Sequence, residues 1–326
     1  MLDILRMERG KKHPIDPTIE ALRVASTDEA LAVTFMEARR WGNEPECPYC
    51  QSKNVARMCK RGTIERNKDF RLRCRQCKTM FTVRTGTVME ESRLPLRVWC
   101  HAFWRACSSK KGVSALQISR EAQISYKSAL FLMARIRAAM ENDPTPMKGQ
   151  LGGVVEIDET FIGGKPRYHR RQSQGGWKRR SVPVLGMVER GGRLRLRQPE
   201  DLGTLPVAKV VHENVDISSR IYTDEARRYR SIGWRFKGGH EHVKHSAGEY
   251  ARGDVHSNTI ESAFAIVKRG IYGVFHSVSP EHLSRYLAEF AFKYNYRDVD
   301  DGQRTEAAIR ASVGRRLMYK DYVARK

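Results

Sequence analysis

The stretch that most constrains this chain runs from Gly152 to Gly164, where glycine pairs bound the β-branched run Val154-Val155-Glu156-Ile157-Asp158-Glu159-Thr160-Phe161-Ile162. Such a run reads as one strand with a turn at each end. Alternation sends Val155 and Ile157 to one face and Glu156 with Asp158 to the other. A carboxylate on a core strand is costly unless it is paired or holds a metal. An exposed edge strand with a solvated acidic face would also satisfy the pattern, so the rest of the chain has to decide.

Two further acids bear on it. Ser219-Arg220-Ile221-Tyr222-Thr223-Asp224-Glu225 is a second strand-like run, and its apolar pattern stops at Asp224. Glu261 lies in a helical stretch, with Ile260, Phe264 and Val267 at i, i+4 and i+7, Asn258 placed to cap its start and Gly270 to stop it. Asp224 follows Asp158 by 66 residues and Glu261 follows Asp224 by 37. Lys268 comes seven residues after Glu261, two helical turns on and on the same face. Two strand-end aspartates and a helical glutamate offer the oxygen ligands with which two hard divalent cations clamp an in-line phosphoryl displacement.

Three segments carry a resemblance: Val155-Glu156-Ile157-Asp158-Glu159-Thr160, Tyr222-Thr223-Asp224, and His256-Ser257-Asn258-Thr259-Ile260-Glu261 running on to Lys268-Arg269-Gly270-Ile271-Tyr272-Gly273. Together they resemble the DDE transposases with an RNase H-like catalytic core, and in particular the IS1595 (ISXO2-like) insertion-sequence family. The resemblance spans about residue 28 to residue 297. One departure is Ala263-Phe264-Ala265, where the family usually has an aromatic pair after the glutamate. The resemblance implies a transposase that cleaves DNA at the ends of an insertion sequence and transfers the freed strands into target DNA. It implies that Asp158, Asp224 and Glu261 hold two Mg²⁺ ions, which Mn²⁺ can replace, and that Lys268 contacts a phosphate near the scissile bond. The residues alone leave open a metal-dependent nuclease that never joins ends, and an inert DNA-binding regulator.

Composition agrees with a nucleic-acid partner. The 326 residues hold 60 Lys and Arg against 37 Asp and Glu, a surplus of 23 positive charges. A polyanion is the default partner of such a chain. No apolar run approaches the roughly 20 residues of a spanning helix, and no signal-peptide pattern opens the chain. The expectation is a cytoplasmic protein that meets nucleic acid, with no membrane involved. The resemblance implies that the partner is double-stranded DNA, both terminal inverted repeats and target, met by a homo-oligomer assembled there.

Seven cysteines, an odd number, argue against a disulfide framework. Cys47-Pro48-Tyr49-Cys50 and Cys74-Arg75-Gln76-Cys77 stand 23 residues apart, and each knuckle offers two thiolates from one tight turn. That spacing predicts a zinc ribbon with a structural Zn²⁺, because four protein ligands leave no open position for substrate. Arg57, Lys60, Arg61, Arg66, Lys68, Arg71, Arg73, Arg75 and Lys78 surround it and suit phosphate contact, though ribbons also bind proteins. Cys59, Cys100 and Cys107 read as small buried hydrophobes or incidental thiols.

In chain order, residues 1–45 read as an arm, loosely ordered to residue 25, and a helix opened by the capping-box-like Ser26-Thr27-Asp28-Glu29. Residues 46–90 are the ribbon. Residues 91–143 read as helices with helix-turn-helix proportions, the helix from Tyr126 entering a major groove behind Tyr126 and Lys127. An ordinary helical hairpin is the alternative. After the linker Asn142–Pro146, residues 150–298 form the catalytic domain, an α/β mixed sheet flanked by helices. Within it, residues 165–180 read as a mobile basic loop whose Arg170, Arg171, Lys178, Arg179 and Arg180 clamp a DNA backbone, with Arg269 assisting. His240, His242, His245 and His256 fall at irregular intervals that speak against a histidine metal site, and His256 is the one placed to touch the acids. Residues 299–326 read as a basic tail.

Overall fold

Pro17 at the first turn and Asp16 before it start the first helix, α1 (Pro17–Ala25), with the Asp16 carboxylate accepting from the Thr18 and Ile19 amides. Residues 17–25, expected to be loose, are therefore helical. This computed structural model describes residues 16–142, 149–163, 181–243 and 251–323, and the backbone alone of 167–169 and 176–178. The second helix, α2 (Glu29–Trp41), is capped by Asp28, which accepts from Leu31 N at 2.9 Å. Ser26 instead closes α1, its hydroxyl donating to Leu22 O.

The ribbon is a three-stranded antiparallel sheet of β1 (Val55–Arg57), β2 (Leu72–Cys74) and β3 (Met80–Phe81). Its small core of Cys47, Leu72, Cys74 and Phe81 rests on Trp41, whose ring meets Phe81 edge-on at 6.0 Å. Arg66 does not face a phosphate. It donates twice to the buried Glu37 of α2, at 2.8 and 2.9 Å, and ties the ribbon to that helix.

Next come α3 (Leu96–Ser108), α4 (Ala115–Ala122) and α5 (Tyr126–Glu141). Gln123 makes the turn in the left-handed region at φ 52°, and Ser125 caps α5 by accepting from Ser128 N. The helix-turn-helix proportions are present, but every residue of α5 from Leu132 to Met140 is buried. A helix buried all round, here with Arg135 and Arg137 as well as its apolar residues, lies inside a bundle and not along a groove. Tyr126 and Lys127 at its start and Glu141 at its end stay exposed, so the stretch 132–140 does not lie along a groove.

The region expected to be catalytic opens with β4 (Val154–Ile162). Part of the expected basic loop is a two-stranded ladder, β5 (Arg167–His169) with β6 (Gly176–Lys178). A hairpin of β7 (Val182–Glu189) and β8 (Leu194–Arg197), α6 (Thr204–Asn214), β9 (Arg220–Thr223), α7 (Arg227–Gly233) and β10 (His240–His242) follow. The main sheet runs β10-β9-β4-β7-β8, parallel between β10, β9 and β4 and antiparallel between β4, β7 and β8. On one face Val155, Ile157 and Ile221 pack under Val207 and Val211 of α6 and Tyr229 and Ile232 of α7. On the other, Val184 and Val188 pack under α8 (Asn258–Gly270) and α9 (Pro280–Asn295) through Ile260, Phe264, Leu287 and Phe290. This mixed sheet, covered on both faces, is an RNase H-like core.

Gly270 does not stop α8, which runs on into the wider turn Ile271–Phe275. Glycine stands there because a Cβ would lie 2.3 Å from the Phe290 ring. Residues 299–326, read as a tail, carry α10 (Asp301–Arg310), which sends Ala308 and Ile309 into the core of α1–α5, and α11 (Tyr319–Val323), whose tyrosines meet Phe131 of α5 at 5.3 and 5.6 Å. The helical region joins the α8–α9 layer of the main sheet through a buried ion cluster. Arg137 of α5 donates to Glu289 of α9 at 2.7 Å, and Lys293 donates to the same carboxylate. Among the described residues no helix is long and apolar enough to cross a membrane.

Candidate metal-binding cleft

Asp158, Glu159, Thr160, Asp224, Glu261 and Lys268 line one open cleft of about 410 Å³. Register explains how two of the acids meet. β4 and β9 pair in parallel as Val154↔Arg220, Val155↔Ile221 and Glu156↔Tyr222, a constant offset that sets Asp158 level with Asp224 at the end of β9. The 66-residue interval between the aspartates is that offset.

Glu261 arrives from the far side. Across the β4–β7 ladder Asp158 faces Gly186, and a Cβ there would come within 2.6 Å of Ile260 Cδ1 and 2.7 Å of Phe264 Cζ. The bare backbone of Gly186 lets α8 settle on the sheet beside Asp158, with Glu261 between the two packing residues in sequence. Phe264, the one aromatic left after the glutamate, is buried on this glycine.

Burial, and then the neighbouring carboxylates Glu159, Asp224 and Glu261, push the Asp158 carboxyl up to about 7, against the pull of the Glu159 amide. Glu159 is also raised, chiefly by burial, while the Tyr229 hydroxyl and Arg228 (3.2 Å) of α7 occupy its oxygens. Asp224 accepts from Ala226 N at 3.0 Å, and Ser257 Oγ donates to Glu261 at 2.7 Å. Lys268 is the one cation among the described lining residues. Four acids against one lysine is an excess of negative charge that an oxygen-seeking divalent cation relieves, and an all-oxygen donor set suits Mg²⁺ or Mn²⁺. The donor set therefore fits the ions the resemblance implies.

The ribbon cysteines meet a tighter test. Among the described residues only Cys47, Cys50, Cys74 and Cys77 bring all their ligand atoms within 4.8 Å of one another. Cys47 and Cys77 sulfurs stand 3.6 Å apart, and those of Cys50 and Cys74 3.5 Å. A Zn²⁺ with sulfur at about 2.3 Å has tetrahedral edges of about 3.8 Å, so the set fits zinc. Cys100 and Cys107 are buried and Cys59 is exposed.

Other expected residues are scattered. Lys127 lies over the Tyr319 ring at 5.0 Å. Arg269 is exposed one residue past Lys268. Of the basic loop, Lys178 ends β6, and Arg170, Arg171, Arg179 and Arg180 lie outside the described residues. His256 faces Glu156 at 3.4 Å and does not line the acidic cleft, while His240 bonds Thr223 on the sheet edge at 2.9 Å. Sequence reasoning missed three features: the role of Glu156, the seat made by Gly186, and α7. The exposed residues Arg227, Arg230 and Trp234 recur at helical spacing along α7, a signal readable in the sequence once that helix is known.

A sheet of this order with acids from β4, β9 and α8 in one cleft places the chain among the nucleic-acid-processing enzymes of the RNase H-like class. Residues 150–295 match the ISXO2-like transposase domain and residues 27–80 the transposase zinc-ribbon domain. The chain belongs to the IS1595 (ISXO2-like) family of transposases. It is 29% identical over 277 residues to an uncharacterized protein in the transposable element ISH50 of Halobacterium salinarum, covering 81% of this chain and 90% of that one. Solved structures with some likeness are the Mos1 strand transfer complex (TM-score 0.25, 13% identity, 63% of this chain and 75% of the other) and a pre-cleavage Mos1 transpososome (0.22, 10%, 64% and 76%). The assignment rests on the sequence family and not on scores of this size.

Proposed function

We propose that this transposase cleaves phosphodiester bonds at the ends of its insertion sequence and joins the freed 3′ ends to target DNA, with Asp158, Asp224 and Glu261 holding two Mg²⁺ ions. The observation that carries the reading is the convergence of those three acids, remote in sequence, on one cleft beside Lys268. Mg²⁺ or Mn²⁺, when bound, supplies Lewis acidity at the attacking and leaving oxygens. The rest falls to the chain. Asp158 would hold the ion as the carboxylate, its proton having passed to water. Lys268 steadies a phosphate next to the scissile bond. Glu159, already engaged by Tyr229 and Arg228, fastens α7 to the cleft floor and is not a free base.

Lys268 and Arg269 on α8 and the exposed Arg227 and Arg230 on α7 would contact the DNA backbone. Arg170, Arg171, Lys178, Arg179 and Arg180 are proposed as further backbone contacts on their charge alone. Terminal repeats and target duplex are the substrates, engaged by more than one copy of the chain, and the ribbon's Zn²⁺ is structural. Labelled end-sequence DNA incubated with the protein and Mg²⁺ tests the proposal. Joined products support transposition, whereas cleavage without joining would reduce the protein to a nuclease. Unchanged cleavage by Asp158→Asn would remove the carboxylate from the mechanism.

A further inference from the structure

Glu156 is 0% exposed, two residues before Asp158 on the same face of β4. Its Oε2 accepts from Thr259 N at 2.9 Å and Ile260 N at 3.1 Å. Its Oε1 accepts from Thr259 Oγ1 and Arg190 Nε, both at 2.9 Å. A carboxylate offers about four lone-pair sites. All four are taken, so Glu156 has none left for a metal and is not a fourth ligand of the cleft.

The amides it holds are the free first-turn donors of α8, which every helix must satisfy somehow. The helix does not cap itself. Ser257, at the N-cap position, makes no side-chain cap and spends its hydroxyl on Glu261. The cap comes instead from a strand 103 and 104 residues away in the chain. A negative charge at that end also suits the helix dipole. Arg190 completes the joint. It donates to Glu156, reaches the His256 carbonyl at 3.1 Å and lies over the Tyr222 ring at 4.7 Å. Thus one carboxylate bonds β4, the turn after β7 and the start of α8 together.

We infer that Glu156 is a positioning residue: it locks the first turn of α8 to β4 and so fixes the separation of Asp158 and Glu261 to which a divalent cation must fit. The inference rests on the metal-cleft reading above. Asp158 is two residues along the strand from the clamp, about 7 Å, and Glu261 directly follows the last amide that the clamp holds. Packing on Gly186 sets how close α8 lies to the sheet. The clamp sets where along β4 the helix begins.

Mn²⁺ binding to the full chain, followed by electron paramagnetic resonance, tests this alongside thermal melting. Glu156→Gln keeps the shape but turns an amide N–H₂ toward donors, and it should weaken Mn²⁺ binding by about 10- to 100-fold, as losses of outer supporting groups do. Thr259→Val, which removes a single bond and leaves the carboxylate, should weaken it several-fold and guards against misfolding of the first variant. Ile157→Val, which thins the opposite face of the same strand, is the stability control and should leave Mn²⁺ binding as in the wild type. Equal Mn²⁺ affinity across all three variants, with Glu156→Gln lowering only the melting temperature, would make Glu156 merely structural and overturn the inference. If the wild-type chain itself bound no Mn²⁺, the metal-cleft reading would fall first and the clamp with it.

Discussion

Asp158 is held at a cost that only its task explains. In the folded, metal-free chain its carboxyl titrates near 7, against an ordinary value of 3.8. Between those two pH values the folded state keeps a proton that the unfolded state has lost. Stability therefore falls as pH rises through that window, and above it the folded chain bears the full cost of the buried charge. Asp158→Asn should melt with the wild type near pH 4 and above it at pH 8 without metal, and added Mg²⁺ should narrow the gap. Wild type and variant melting alike at pH 8 would contradict the buried-charge account. Gly186 makes a second residue-scale case. Gly186→Ala drives a methyl into Ile260 and Phe264, an overpacking that costs about 1–3 kcal/mol, and should cut Mg²⁺-dependent cleavage more than its melting shift explains. Activity tracking stability alone would refute the seat. The acids themselves were legible from sequence, because apolar runs that end in carboxylates are local patterns. Gly186 and Glu156 were not, since the α8 residues that each one meets lie more than 70 residues on in the chain.

Among the elements, the ribbon and α5 mark the limits of reading from pattern. Cysteine spacing alone defined the ribbon, because tetrahedral thiolate geometry has few sequence solutions. Its core is four side chains on Trp41, too small to stand unaided. Removing zinc with a chelator should abolish amide protection across β1–β3 while β4, β7 and α8 keep theirs, as hydrogen exchange would report. Cooperative loss of both regions would show that they fold as one unit. The α4–turn–α5 boundaries were equally readable from caps and the Gln123 turn. Burial of α5 was not, because its alanines look neutral in sequence and much of what covers them, α9, α10, Leu317 and Tyr322, lies far along the chain.

Across the whole molecule, a surplus of 23 positive charges dictates the partner more than any one residue does. Affinity for duplex DNA should fall steeply with salt. The double variant Arg227→Glu, Arg230→Glu on the exposed side of α7 should flatten that slope by roughly two units of log K per log salt, about one per contact. An unchanged slope would take α7 off the DNA path. The architecture gathers the acids because β4 and β9 run side by side in register and α8 returns over them, and every functional statement above depends on that gathering. The most direct measurement is anomalous scattering from Mn²⁺ in crystals of the protein bound to its end DNA. The account predicts manganese held jointly by Asp158, Asp224 and Glu261 beside the scissile phosphate. Manganese absent from those three carboxylates in a complex that cuts DNA would contradict it.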